Sequence, residues 1–183
     1  ADRFSFVILE EQDLLNSNLE DITVEGVTDV LNKRGDHPKA VLLFTVCLHH
    51  FVGSNLDYIY SELEHRFPDI CFIRCYMDPI MQKHGLTPDQ KLRKAMYDPL
   101  PDGEPDERAV SVLGSDFALD ESSDIKRLLK RYGYTVRELP TCDTWQDLLD
   151  MNKGKVFLNI YPAGKYGMET QARRLNREHL YLP

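Results

Sequence analysis

Apolar and polar positions along the chain alternate between strand-like and helix-like segments. Phe4 to Glu10 (FSFVILE) is apolar and β-branched, which predicts a buried strand. From Leu19 to Leu31, residues Ile22, Val24, Val27, Val30 and Leu31 recur at helical spacing, and Lys33-Arg34-Gly35 supplies the stop. Lys39 to Leu48 (KAVLLFTVCL) is apolar almost throughout, as a parallel strand covered on both faces must be. Gly53-Ser54-Asn55 reads as a turn, with Ser54 or Asn55 able to cap a helix running to about Arg66 through Leu56, Ile59, Tyr60 and Leu63. Ile70 to Tyr76 (ICFIRCY) is the next strand, and Thr87-Pro88-Asp89-Gln90 has the cap and first-turn proline of a helix start.

Asp98 to Arg108 (DPLPDGEPDER), with three prolines, a glycine and five acidic residues, reads as a linker between subdomains. The pattern then repeats. Ala109 to Leu113 is a strand, Gly114 a turn, Ser122 to Tyr132 a helix and Tyr134 to Leu139 a strand. Thr144 to Met151 is a short helix, Val156 to Tyr161 a strand and Gly167 to Glu178 a final helix. Strands and helices alternating in units of roughly 30 residues call for an α/β fold, with two Rossmann-like layers of parallel sheet flanked by helices. The expected division is residues 1–100 and 101–183.

Composition narrows the function without naming it. Apolar content of 42% and charged content of 28% suit a soluble globular chain. No apolar run approaches the roughly 20 residues that span a bilayer. The N-terminus, Ala1-Asp2-Arg3-Phe4-Ser5-Phe6, lacks the cationic stretch and apolar core of a signal peptide, so a cytoplasmic location is expected. It also lacks an initiator Met, as a cut inside a longer chain would. A net charge of −8 argues against nucleic acid as a partner. Four unevenly spaced cysteines read as reduced thiols, not as a disulfide framework.

Ligands of such folds bind at the carboxyl ends of strands. Three ends stand out: Thr45 to Gly53, Gly114 to Asp120, and Tyr161 to Gly167. None carries a G-x-G-x-x-G or G-x-x-x-x-G-K-[ST] motif, so a nucleotide site lacks support. Cys47 closes the strongest strand, where a thiolate can be stabilised or hold a metal; the plainer reading is a small buried hydrophobe. In an extended segment Cys47 and His49 could converge while His50 diverges, and two ligands are too few for zinc. Cys71 and Cys75 fall in one strand, about 13 Å apart at 3.3 Å per residue, too far to share a metal atom or to bond. Cys142 sits in a loop with no ligand pattern around it. Asp116 and Asp120 could bind a ribose or a cation, or cap a helix; Lys165, Arg173 and Arg174 could receive an anion or line a solvated face.

Val41 to Leu63 (VLLFTVCLHHFVGSNLDYIYSEL) resembles the nitrogenase component 1-type oxidoreductase family, in which a strand ends in Thr/Ser-x-Cys before a turn and a helix. Val110 to Leu139 resembles that family's second layer, and the run from Phe157 to Pro183 its next segment. The likeness follows nearly the whole chain in order. It implies that Cys47 is a metal- and cofactor-binding residue, matching a cysteine that helps hold an iron–sulfur cluster between subunits. It implies electron transfer from an iron protein-like reductase, a like or related subunit as partner, and a parent protein longer than this chain. The family cysteine that binds the active-site metal cofactor is matched by Tyr161, a poor substitute for a soft thiolate, so no catalytic residue is assigned. The chain alone is expected to be inactive and to hold no cluster, since one cysteine falls short of the usual four ligands. Exposed apolar surface is expected around Cys47. The alternatives are a non-catalytic scaffold or assembly protein that binds a metallocluster precursor, a tetrapyrrole or a partner subunit, and a small-molecule binding domain of periplasmic-sensor type.

Overall fold

A computed structural model describes residues 3–15, 19–78 and 85–183. The chain divides into two compact units, Ala1–Gly85 and Leu86–Pro183.

In the first unit, β1 (Ala40–Val46) and β2 (Cys71–Met77) pair in parallel from Ala40 opposite Cys71 to Val46 opposite Met77. One face of this ladder, with Val41, Leu43, Phe72 and Tyr76, packs on helices α2 (Leu19–Lys33) and α4 (Leu56–Arg66) through Val24, Val27, Ile59, Tyr60 and Leu63. Asn55 caps α4 by accepting from the Tyr58 N–H at 3.0 Å. Two expectations fail here. Phe4 to Glu10 forms no strand: Val7 lies against α2 at Gly26, and Phe4, Phe6 and Ile8 are exposed. Strand propensity is a preference for a half-buried pleated surface, and this segment has no ladder partner among the described residues to supply one. A short helix, α1 (Glu11–Leu15), follows. Nor is β1 covered on both faces, since Leu42, Phe44 and Val46 are 41%, 47% and 49% exposed.

The second unit is a four-stranded parallel sheet in the order β4-β3-β5-β6: β4 (Thr135–Glu138), β3 (Asp106–Val112), β5 (Gly154–Asn159) and β6 (Glu178–Tyr181). Ala109 to Val112 are buried, as an inner strand covered on both faces requires. Helices α5 (Pro88–Tyr97), α7 (Trp145–Leu149) and α8 (Lys165–Arg174) build one core with Leu113, Met151 and Phe157. Helix α6 (Asp124–Arg131) builds the other through Ile125 and Leu129 over Val110, Val112 and Leu158. Thr87 and Gln90 form a capping box with Pro88 in the first turn, Thr144 and Asp147 form another, and Ser123 caps α6.

The boundary therefore falls ahead of the expected residue 100. Tyr97 and Leu100 belong to the second core, and the backbone of Lys94 lies so close to Gly167 that a Cβ there would sit 3.0 Å from the Lys94 Cα. The proline-rich stretch from Asp98 is likewise no linker between units. Its carbonyls are held by Arg174 (to Leu100, 2.6 Å), Asn152 (to Pro101, 3.0 Å) and Arg177 (to Gly103), which fasten it along the second unit. No helix among the described residues is long and apolar enough to cross a membrane.

Candidate functional sites at two strand ends

At the carboxyl end of β1 the chain turns at once into the five-residue helix α3 (Cys47–Phe51). Cys47 is half-buried, with its Sγ 3.5 Å from the Met77 carbonyl at the end of β2. Val46, Phe51, Val52 and Met77 nearby are exposed, so the cysteine lies beside apolar surface and is not sealed within the unit. Because residues 47–51 are helical, the alternation expected of an extended segment does not apply. The His49 ring turns to α2, with Nε2 3.4 Å from Thr23 Oγ1 and Nδ1 3.3 Å from the Val46 carbonyl, and burial holds its pKa below the usual imidazole range. His50 Nε2 faces Asp78 at 3.4 Å.

An iron–sulfur cluster normally takes four thiolates, and this chain offers one at that end. Cys75 is wholly buried along β2, donates to the Ile73 carbonyl at 3.4 Å, and has its thiol pushed up to about 12 by burial. Burial also raises Cys71 and Cys142. Among the described residues no three His, Cys, Asp or Glu side chains are grouped to hold a metal ion. The residues of this chain alone do not fit such a cluster.

The other two strand ends come together in the second unit. Gly114 (φ +87°) and Gly164 approach so closely that a Cβ on Gly114 would lie 2.5 Å from the Gly164 Cα. The buried Asn159 amide donates to the Leu113 carbonyl at 2.6 Å, and the Tyr97 hydroxyl accepts from the Gly114 N–H at 3.0 Å. Arg93, reaching from α5, donates from Nη1 to the Gly114 carbonyl at 3.0 Å and grips Asp116 with both Nη atoms, at 3.0 and 2.7 Å. Its guanidinium lies 4.5 Å from the Tyr161 ring centroid, a cation–π contact. Two buried polar atoms of this cluster lack an aligned hydrogen bond: Asn159 Oδ1, and Arg93 Nε, which is 2.8 Å from Asp89 Oδ1.

Sequence reasoning pointed to Gly114, Asp116 and Tyr161 but missed Arg93, Asn159 and Tyr97, which arrive from other elements. Asp116 binds Arg93, while Asp120 accepts from the Ser122 hydroxyl and, at 2.7 Å, from the Ser122 N–H, which lower its pKa. Neither caps α6. Lys165, Arg173 and Arg174 do not converge: Lys165 lies over Tyr181, Arg173 donates to the Glu169 carbonyl, and Arg174 reaches Leu100 and Asp102.

Replacing Tyr97 by phenylalanine leaves the buried Gly114 N–H without its acceptor, and a loss of about 1–3 kcal/mol is expected. Burial pushes the Tyr97 phenol up to about 12, so above the ordinary value of about 10 the unfolded chain ionises first. Stability from this group is thus whole below pH of about 10 and falls as pH rises towards 12. Denaturation midpoints across that range should fall less steeply in Tyr97→Phe than in the parent.

Comparison with solved structures places the fold. Nitrogenase Cp1 at pH 5 matches with a TM-score of 0.70 and 13% identity, over 94% of this chain and 35% of that one. Nitrogenase Cp1 at pH 6.5 matches with a TM-score of 0.68 and 13% identity, over 94% and 34%. At such identity the likeness shows the fold: a nitrogenase-like α/β arrangement of parallel sheets flanked by helices. The chain spans about a third of the length of those nitrogenase chains. No protein-family model matches it, and no curated protein sequence does.

Proposed function

We propose that this chain is part of a nitrogenase component 1-like oxidoreductase and supplies one ligand, Cys47, to an iron–sulfur cluster completed by thiolates from outside its sequence. The observation that carries the reading is the placement of Cys47, at the carboxyl end of a parallel strand in a nitrogenase-like fold, half-buried and bordered by exposed Val46, Phe51, Val52 and Met77. Such a position suits a ligand shared across an interface with a like or related subunit, because apolar surface around it would be covered there. On this reading an iron protein-like reductase donates the electrons, in a cytoplasmic setting. Cys47 would act as a deprotonated thiolate, the form in which cysteine binds iron.

Iron and acid-labile sulfide, measured on the longest natural protein that contains this sequence after oxygen-free purification, test the proposal. Both are expected to be present and to fall severalfold in Cys47→Ala. An iron-free, colourless parent overturns it. It would favour the second reading, a non-catalytic scaffold or assembly protein, for which the engaged Arg93 side chain at the other strand end speaks independently.

A further inference from the structure

We infer that the carboxyl ends of β3 and β5, where the family resemblance would set a thiolate-bound catalytic cofactor, are closed by the chain's own backbone and side chains, so that the second unit does not hold the reacting metal. The inference rests on the nitrogenase-like reading above and says which of the two strand ends is left to carry a cofactor.

Space is the first argument. The loops after β3 and β5 meet backbone to backbone, and a Cβ on either Gly114 or Gly164 would lie 2.5 Å from the other's Cα. Asn159 fills the room beneath them, with its Nδ2 2.7 Å from the Cβ position of Gly114 and 2.5 Å from that of Gly164. A ligand entering between these loops would have to push backbone aside, not a flexible side chain.

Charge and donor chemistry point the same way. The centre of the cluster is a guanidinium, nine-tenths buried, whose charge is balanced by Asp116 at 2.7 Å and Asp89 at 2.8 Å, so the carboxylates that could bind a metal are already engaged by a cation. Both of its Nη atoms are engaged by Asp116 and Gly114, and its face by Tyr161. Displacing it would leave a buried charge without partners, which costs more than a neutral group so treated. The surrounding side-chain donors are two phenols, an amide and two carboxylates, which are hard ligands, whereas iron–sulfur chemistry calls for thiolate. Arg93 therefore stands where a ligand would stand in an open strand-end crevice.

Two measurements on the chain test this. Amide hydrogen exchange over Leu113 to Asp120 should be slow in the parent and about tenfold faster or more in Arg93→Met, which keeps length but removes the charge. Melting followed by Trp145, the single tryptophan, should show no saturable rise with millimolar ferrous iron or inorganic phosphate. Exchange that is unchanged in Arg93→Met overturns the inference, and so does a saturable rise in the parent that vanishes in that variant. Should Arg93→Met not fold, Asp116→Asn carries the test, since it keeps Arg93 on Gly114 and Tyr161; faster exchange is again expected. These readouts do not involve Cys47, so an iron-free parent would defeat the cluster reading and leave the closed crevice standing.

Discussion

Replacing Lys126 with methionine is expected to destabilise the second unit by about 3 kcal/mol, the low end of the range for breaking a buried ion pair. Lys126 Nζ donates to Glu138 Oε2 at 2.6 Å and to the Leu119 carbonyl at 3.0 Å, while Glu138 Oε1 accepts from the Leu119 N–H at 2.6 Å. Their side chains are 7% and 3% exposed. Without the ammonium, the Glu138 carboxylate keeps one donor in a place with little water. Lys126 also reaches the exposed Glu121 at 2.8 Å, so it lies just under the surface, and the low end of the range applies. The double variant Lys126→Met/Glu138→Leu should recover only part of the loss: it removes the unpaired carboxylate but leaves the buried Leu119 N–H and carbonyl without their side-chain partners. Lys130→Met, which removes an exposed partner of Glu121, should cost no more than about 1 kcal/mol. Urea unfolding followed by Trp145 fluorescence would decide; a Lys126→Met chain within about 1 kcal/mol of the parent would show the pair to be solvated.

This pair marks where sequence reading stops. A lysine twelve residues ahead of a glutamate carries no local signal, and the two meet because the strand after α6 returns beside β3. What was legible was local: the helix cap at Thr87, the helices from Leu19 and Thr144, and the strands around Leu43, Ile73, Val110 and Phe157. Each depends on spacing and turn chemistry within one segment. The two faulty readings in the first unit share one physical origin. Phe4 to Glu10 has strand composition without a partner, and β1 is apolar on a face that remains half-open, because composition records what a segment can bury and not what covers it. The division between units was misplaced for a similar reason. Prolines and acids from Asp98 look like a flexible connection, yet Arg174, Asn152 and Arg177 tie their carbonyls down from residues far along the chain.

The candidate sites divide in the same way. Cys47 could be singled out because a cysteine at a strand end is visible in sequence, and its half-buried position beside Val46 and Phe51 agrees with the apolar border expected of it. The convergence of Cys47 with His49 could not be judged, since whether residues 47–51 are extended or helical depends on packing; the helix sends His49 to Thr23. Arg93 was invisible for a different reason. It is one of several charged residues on α5, and only the meeting of α5 with the Gly114 loop distinguishes it from Lys91 or Lys94.

Alanine at Gly114 is expected to cost about 3 kcal/mol or more, through left-handed strain of about 1–2 kcal/mol and overpacking of about 1–3 kcal/mol. Gly114 has φ +87°, and its added Cβ would meet the Gly164 Cα at 2.5 Å and Asn159 Nδ2 at 2.7 Å. Gly133→Ala separates the two causes within the same unit. Its φ of +75° carries the same kind of strain, but its nearest neighbour is the movable Arg108 Nη1 at 3.3 Å, so about 1–2 kcal/mol is expected. Gly164→Ala isolates the other cause. Its φ is −80°, which any residue adopts, yet a Cβ would lie 2.5 Å from the Gly114 Cα and 2.6 Å from its carbonyl oxygen. Urea unfolding by Trp145 fluorescence should therefore rank Gly114→Ala as the most damaging and Gly133→Ala as the least. A Gly164→Ala chain as stable as Gly133→Ala would mean that the loops after β3 and β5 part readily. Backbone contact could then no longer be what closes the crevice, and Arg93 alone would have to hold it shut.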